Sequence, residues 1–449
     1  MNANWLLTKN NWIWGYIILI GLGMVISGIA YQFNANIDIE LISIIHFWIL
    51  ALFYALPILV FSLFGISPLT PGKSAINSQE KIEFLVIIAA YNESLVISNS
   101  VKSMIKQATR HSSARVVVAF NGTDNTDEIA RSLGAEVICT PTPGCGKSQA
   151  IAFALATIPP KNHRFVLILD ADNLTDLDFL DQMSLAAQDG SIALQGNHQV
   201  LLASQNWVSR GLEAGYAASG RLFNPGRSRL LNSALLCGTG FAIREDIFRN
   251  LWGEIRTQTE DIELNGLLTL KYNAGVKWVQ TANFYDEKPD TITIAIRQRV
   301  RWMVGHIKCM MIYSADLLSY SIKNRDIRAL ELSLYYTTPL LIFISSLWLL
   351  FIFPSSFILT LNISSIVPLH AINISIGLLI YAIGLPALGY MAINTENKPL
   401  KIVKAIYYAI LSTLFALLVW PLSIVLAVLM LTRKDWMFHT PHRALSLKA

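Results

Sequence analysis

Between residues 82 and 285 short apolar runs alternate with amphipathic stretches: "IEFLVIIAAY", then 94–108, "RVVVAF", then 124–133, "AEVICT", then 147–158, and "FVLILD". This alternation predicts βαβ units on a mostly parallel sheet, with helices over both faces. Ligands on such sheets bind beyond the carboxyl ends of the strands. Four predicted strand ends carry polar chemistry: Tyr91 to Glu93, Asn121 to Asp124, the loop "TPTPGCGKSQA" at 140–150, and Asp170 to Asp172.

On either side the pattern changes to long apolar stretches, at about 12–33, 41–66, 330–353, 370–393 and 404–431. Each suits a membrane span of about 20 residues. The first is too long, with too little charge before it, for a cleaved signal, and reads as an anchor. The expected organisation is two amino-terminal spans (1–66), a linker (67–81), the α/β domain (82–290), amphipathic interface helices (291–329), carboxyl-terminal spans (330–432) and a basic tail (433–449). The link "QFNANIDIE" has acids but no Lys or Arg, whereas Lys73 and Lys81 follow the second span, so residues 67–329 are expected in the cytoplasm. Pro421 sits inside the last stretch, which suggests a broken or re-entrant segment.

Composition sharpens the picture. Charged residues make up 14% of the chain, against roughly 25% in soluble domains, which implies that lipid solvates much of it. The net charge of +5 suits anionic lipid and is too dispersed to argue for nucleic acid. Cys139, Cys145, Cys237 and Cys309 show no CxxC spacing and read as reduced, mostly buried thiols. His306 and Cys309 could pair on a helix, but two ligands do not make a zinc site.

Gly146, Lys147 and Ser148 spell the end of an ATP phosphate loop, but the place of its first glycine is Pro141, which has no N–H to offer a phosphate. "LILDADN" sets Asp170 and Asp172 one residue apart where a buried strand runs out. Alternate residues at a strand end point the same way, so both can face one divalent cation and, through it, a diphosphate. An Asx turn or helix cap is the plainer reading of such a pair. "TQTEDIEL" places Glu260 and Asp261 at a helix start, where Thr257 and Glu260 also have capping-box spacing. "CGTGF" brings Gly238, Thr239 and Gly240, glycines that allow either a close backbone approach to a ligand or a tight bend.

From Ile296 to Met311 the residues Ile296, Val300, Met303, Ile307 and Met310 form an apolar stripe, with Arg297, Arg301 and Lys308 beside it. The expectation is a helix lying on a membrane surface. Gln298, Arg301 and Trp302 then face away from lipid, with Gly305 leaving space beside them. Arg301 suits an anionic leaving group and Trp302 a sugar face.

Taken in order, "AAYNE", "NGTDNT", "GKSQAI", "DAD", "GTG", "TED" and "QRVRW" resemble the motif set of membrane-embedded processive glycosyltransferases of family 2, relatives of cellulose, hyaluronan and poly-N-acetylglucosamine synthases. The resemblance covers about residues 84–306 and implies a GT-A, Rossmann-like α/β fold inserted between transmembrane helices. It implies a UDP-sugar donor, a growing polysaccharide acceptor, the lipid bilayer as a partner, and Mg²⁺ or Mn²⁺. Carried over, Tyr91, Glu93, Asn121 and Asp124 border the uridine, Lys147 and Arg301 serve the donor, and Asp170 and Asp172 hold the metal and diphosphate. Asp261, beside Glu260, is the general base, while Gly238, Thr239, Gly240, Gln298 and Trp302 meet the acceptor. Trp436, Thr440, His442 and Arg443 match a gating segment. Relatives often carry an aspartate where this chain has Phe120. The functional expectation is an inverting polysaccharide synthase. Single-sugar transfer to a lipid is the alternative, and an ATP-driven transporter a more distant one.

Overall fold

The computed structural model describes residues 56–65, 82–110, 114–201, 206–347 and 399–431. The expected spans at 12–33 and 370–393, most of 41–66, the linker 67–81 and the tail with Trp436, Thr440, His442 and Arg443 lie outside the described residues.

After a short apolar helix, α1 (Leu56–Gly65), the chain enters a sheet whose first half follows the apolar runs. Strands β1 (Glu83–Ala90), β2 (Ala114–Phe120), β3 (Glu136–Cys139) and β4 (Arg164–Asp170) are joined by helices α2 (Ile97–Arg110), α3 (Thr126–Ser132) and α4 (Lys147–Thr157). All three pairings among these strands are parallel. Both faces of β1 and β4 are buried, which is why they read as continuous apolar runs rather than as alternation.

Beyond β4 the simple pattern ends. The elements are β5 (Leu174–Thr175), α5 (Phe179–Ala187), β6 (Ala193–Leu201), α6 (Trp207–Ala218), α7 (Asn224–Leu231), β7 (Phe241–Arg244), α8 (Glu245–Trp252), α9 (Glu260–Tyr272) and β8 (Lys277–Glu287). The eight-stranded sheet has the order β3-β2-β1-β4-β7-β6-β8-β5. Strand β7 runs antiparallel to both β4 and β6, and β5 runs antiparallel to β8. Because β6 and β8 also pair in parallel, the sheet is mostly parallel as expected, with β5 and β7 as the antiparallel exceptions, too short to announce themselves by periodicity. One face packs against α2 and α5 through Ile97, Val101, Met104, Phe179 and Met183. The other packs against α4, α8 and α9 through Ile151, Phe248 and Leu268, a core that continues into the helices that follow.

Those helices are α10 (Ile292–Asn324), α11 (Ile327–Leu347) and α12 (Pro399–Met430). Thr291 caps α10 by accepting a hydrogen bond from Ile294 N at 3.3 Å. The stripe expected on lipid turns inward: Val300, Met303, Ile307 and Met310 are buried in the same core as Leu264 and Leu268 of α9 and Tyr336 of α11. A period of three and four residues marks a covered face but does not distinguish lipid from protein. Pro421 does not break α12, which is helical throughout. Among the described residues Val403–Met430 is the helix long and apolar enough to cross a membrane.

Candidate active site

The loop read as a failed ATP phosphate loop aims a lysine into the centre of the site. Gly144 and Gly146 take positive φ (72° and 95°), a conformation that favours glycine, and Gly146 turns the chain into α4 with Lys147 as its first residue. Lys147 Nζ lies 2.7 Å from Asp170 Oδ1 and 3.3 Å from Glu260 Oε1, and donates to Gly238 O at 2.6 Å. One ammonium thus joins the DxD, GTG and TED segments, which lie far apart in sequence. Burial alone would lower the lysine pKa, but the charges of Asp170 and Glu260 outweigh it and hold the group protonated.

The sheet explains why DxD and GTG meet. Asp170 ends β4, and the antiparallel β7 begins just after Gly240, whose N–H donates to Ile168 O at 2.8 Å. Thr239 Oγ1 accepts from Asp170 N at 2.9 Å and bonds to Asn173 Oδ1. Asn173 Nδ2 also donates to Asp172 Oδ1 at 3.1 Å. Buried Gln195 donates from Nε2 to Thr239 O at 3.0 Å and accepts from Cys237 N at 2.9 Å. Asn173 and Gln195 were not singled out from sequence, because an isolated amide gives no spacing signal.

Asp261 is half-buried at the start of α9, with Glu260 buried beside it. Gly238, at φ 78°, leaves room in front of the aspartate: a Cβ there would lie 3.4 Å from Asp261 Oδ2. Burial, followed by the charge of Glu260, pushes the Asp261 carboxyl up to about 7. The capping-box reading is not realised. Glu263 is the residue that accepts from Arg256 N and Thr257 N, at 2.9 and 2.8 Å, and from Tyr313 Oη at 2.6 Å. Glu260 is left to Lys147.

Helix α10 is docked on this segment. Gly305 leaves no spare space: it is buried, and a Cβ on it would collide with the Thr259 side chain. One turn on, Cys309 Sγ lies 3.5 Å from Thr257 Oγ1. Gln298, Arg301 and Trp302 are half-buried on the same helix, and no hydrogen bond or ion pair ties Gln298 or Arg301 to Lys147, Asp170 or Asp261 among the described residues. The neighbour Arg299, missed from sequence, is 2% exposed with its guanidinium 5.3, 4.5 and 5.4 Å from the rings of Trp302, Phe415 and Trp420. Burial lowers its pKa to about 10. His306 Nε2 lies 3.2 Å from Tyr335 O, and burial lowers its pKa to about 4, which keeps the imidazole neutral. Of the four thiols, all free, only Cys309 is buried and Cys139 is exposed, which corrects the expectation of mostly buried cysteines.

At the ends of β1 and β2, Asp124 Oδ1 accepts from Thr126 N and Oγ1 at 3.1 and 2.6 Å, and Oδ2 from Ser94 N at 3.1 Å. Burial raises its pKa, but these hydrogen bonds outweigh it and hold the carboxylate ionised. Glu93 N donates to Thr126 Oγ1 at 2.9 Å, so the Tyr91–Glu93 and Asn121–Asp124 loops are stitched together. Asn121 is buried, with its amide facing Ala90 O at 2.8 Å and Gly146 N at 3.1 Å. The side chain thereby ties the ends of β1 and β2 to the turn that precedes α4. At the far ends of β6 and β8 a further unexpected cluster joins His198 Nε2 to Asp286 Oδ1 at 2.8 Å and Lys288 Nζ to Asp286 Oδ2 at 2.6 Å.

Asp170 and Asp172 offer hard oxygens, and no group of three or more His, Cys, Asp or Glu side chains forms a metal cage among the described residues. This donor set fits Mg²⁺ or Mn²⁺, which bind through one or two carboxylates and complete their shell with phosphate oxygens and water. The ammonium of Lys147 against Asp170 marks a place where a cation is wanted.

Residues 82–305 match the family model described as glycosyltransferase like family 2. The probable glycosyltransferase YdaM of Bacillus subtilis (strain 168) is 25% identical over 281 residues, covering 60% of this chain and 64% of that protein, so the match spans just under two thirds of this relative's length. Among solved structures, the mannosyltransferase PcManGT from Pyrobaculum calidifontis, in complex with GDP-Man and Mn²⁺, resembles the chain with a TM-score of 0.52 at 14% identity, covering 88% of this chain and 99% of its own. That likeness is one of fold. Over residues 82–305 the chain is a glycosyltransferase family 2 domain.

Proposed function

We propose that the chain transfers sugar units from a UDP-sugar to a growing β-linked polysaccharide, with inversion, and passes the product between its own apolar helices across the cell membrane. The observation that carries the transfer is the junction at Lys147, where DxD, GTG and TED converge and Asp261 stands beside the open side of Gly238. An inverting transfer forms a bond from the acceptor oxygen to the anomeric carbon and breaks the bond to the diphosphate. It needs a base for the acceptor proton and positive charge for the leaving group. Asp261 takes the proton, and a pKa near 7 suits that task. Lys147 and Arg301 face the diphosphate. Asp170 and Asp172 would hold Mg²⁺ or Mn²⁺, which would supply positive charge for the diphosphate leaving group. Tyr91, Glu93 and Asp124 border the nucleoside. Gly238, Thr239, Gly240, Gln298 and Trp302 hold the acceptor, and the tail residues Trp436, Thr440, His442 and Arg443 close over the donor.

Membrane residence is supported by α12. Its inner face packs through Phe415 and Val419, whereas Val403, Leu414, Leu418, Leu422 and Leu429 lie exposed along its outside. Such a stripe is solvated by lipid tails.

A second reading is the addition of a single sugar to a lipid acceptor, with a GDP-sugar as donor. The donor in this reading is suggested by PcManGT, which was solved with GDP-Man and Mn²⁺ and is covered almost end to end. Membranes containing the protein, incubated with Mn²⁺ and radiolabelled UDP-glucose, UDP-N-acetylglucosamine or GDP-mannose, separate the two. High-polymer product from a UDP-sugar is expected, and a single labelled glycolipid would replace the polymer reading with the lipid one.

A further inference from the structure

Lys147 is a cation seated where the metal's own carboxylate points. Its Nζ lies 2.7 Å from Asp170 Oδ1, and it is held from two other sides by Glu260 Oε1 at 3.3 Å and Gly238 O at 2.6 Å. An ammonium and a divalent ion that share that oxygen at close range repel one another. A diphosphate changes the balance, because it brings the negative charge that both cations can use. Building on the donor-site reading, we infer that Lys147 is a resident counter-ion that keeps the metal out of the empty site and makes metal binding depend on the nucleotide. The donor diphosphate draws Lys147 away from Asp170, and the vacated carboxylate then completes the metal site. The same movement loosens the lysine's hold on Gly238 O and Glu260, the two neighbours of Asp261.

The geometry favours this over a purely structural salt bridge. Lys147 joins the end of β4, the start of α9 and the Gly238 loop, and its carboxylate partner Asp170, a residue of the DxD pair, is 40% exposed at the side chain, open to an incoming ion. Removing the charge should therefore increase metal affinity, whereas loss of a structural bridge would only weaken the protein.

The test is Mn²⁺ binding to the full chain in detergent, read by electron paramagnetic resonance of free Mn²⁺, with and without UDP. Wild type is expected to bind Mn²⁺ about tenfold or more tightly with UDP than without it, within the usual range of coupling between sites. Lys147→Met is expected to bind Mn²⁺ alone about tenfold more tightly than wild type and to lose most of its dependence on UDP, while Lys147→Arg behaves as wild type. Should Lys147→Met not fold, Lys147→Gln keeps a donor for Gly238 O and reads the same effect. Mn²⁺ affinity of the neutral variants that equals or falls below wild type, in a protein that still binds UDP with Mn²⁺, would overturn the inference alone. A wild-type protein that binds neither UDP nor GDP in the presence of Mn²⁺ would overturn the donor reading and this inference with it.

Discussion

Asp261 illustrates how a side chain acquires a role from its surroundings. In "TQTEDIEL" it is one of several acids near a helix start, and the spacing to Thr257 equally suits a cap. The structure gives the capping work to Glu263, pairs Glu260 with Lys147, and leaves Asp261 at the open side of Gly238. Burial and the neighbouring Glu260 charge then bring its carboxyl to about 7, so it is largely protonated in acid and a base above neutrality. The profile of kcat/KM reports groups of the free enzyme. It is expected to rise with pH and level off with an apparent pKa near 7, measured as nucleotide release at subsaturating donor. A profile flat from about pH 5 to 9 would remove Asp261 from that role.

Helix α10 carries the next scale of argument. Its motif residues were legible because "QRVRW" has a fixed spacing, and its amphipathic period announced a covered face. What covers that face was not legible, since Val300, Met303 and Ile307 would look the same against lipid as against α9 and α11. Nor does sequence reveal that Gly305, Cys309 and Tyr313, one and two turns apart, meet Thr259, Thr257 and Glu263. Those contacts set the distance between α10 and the start of α9. Gly305→Ala forces a methyl group into the Thr259 side chain. Overpacking of this kind costs about 1–3 kcal/mol. A lower melting temperature is expected, together with a fall in kcat as the motif helix shifts from Asp261. Unchanged stability and kcat would mean that α10 is not docked through this contact.

Across the whole molecule, the first half of the sheet could be read directly because β1 to β4 are apolar runs separated by helices, with β1 and β4 buried on both faces. The other half could not, because β5 and β7 are short antiparallel returns whose place depends on pairing rather than pattern. Yet β7 is what brings Gly238 to Gly240 against the end of β4, and so builds the site. The proposed function separates two duties: DxD and Lys147 toward the donor, Asp261 toward the acceptor. Comparing Asp261→Asn with wild type for sugar transfer and for UDP–Mn²⁺ binding tests that separation most directly. The expected result is transfer reduced by at least about 10²-fold, the usual contribution of a general base, with nucleotide affinity kept. Undiminished transfer, or an equal loss of nucleotide affinity, would contradict it.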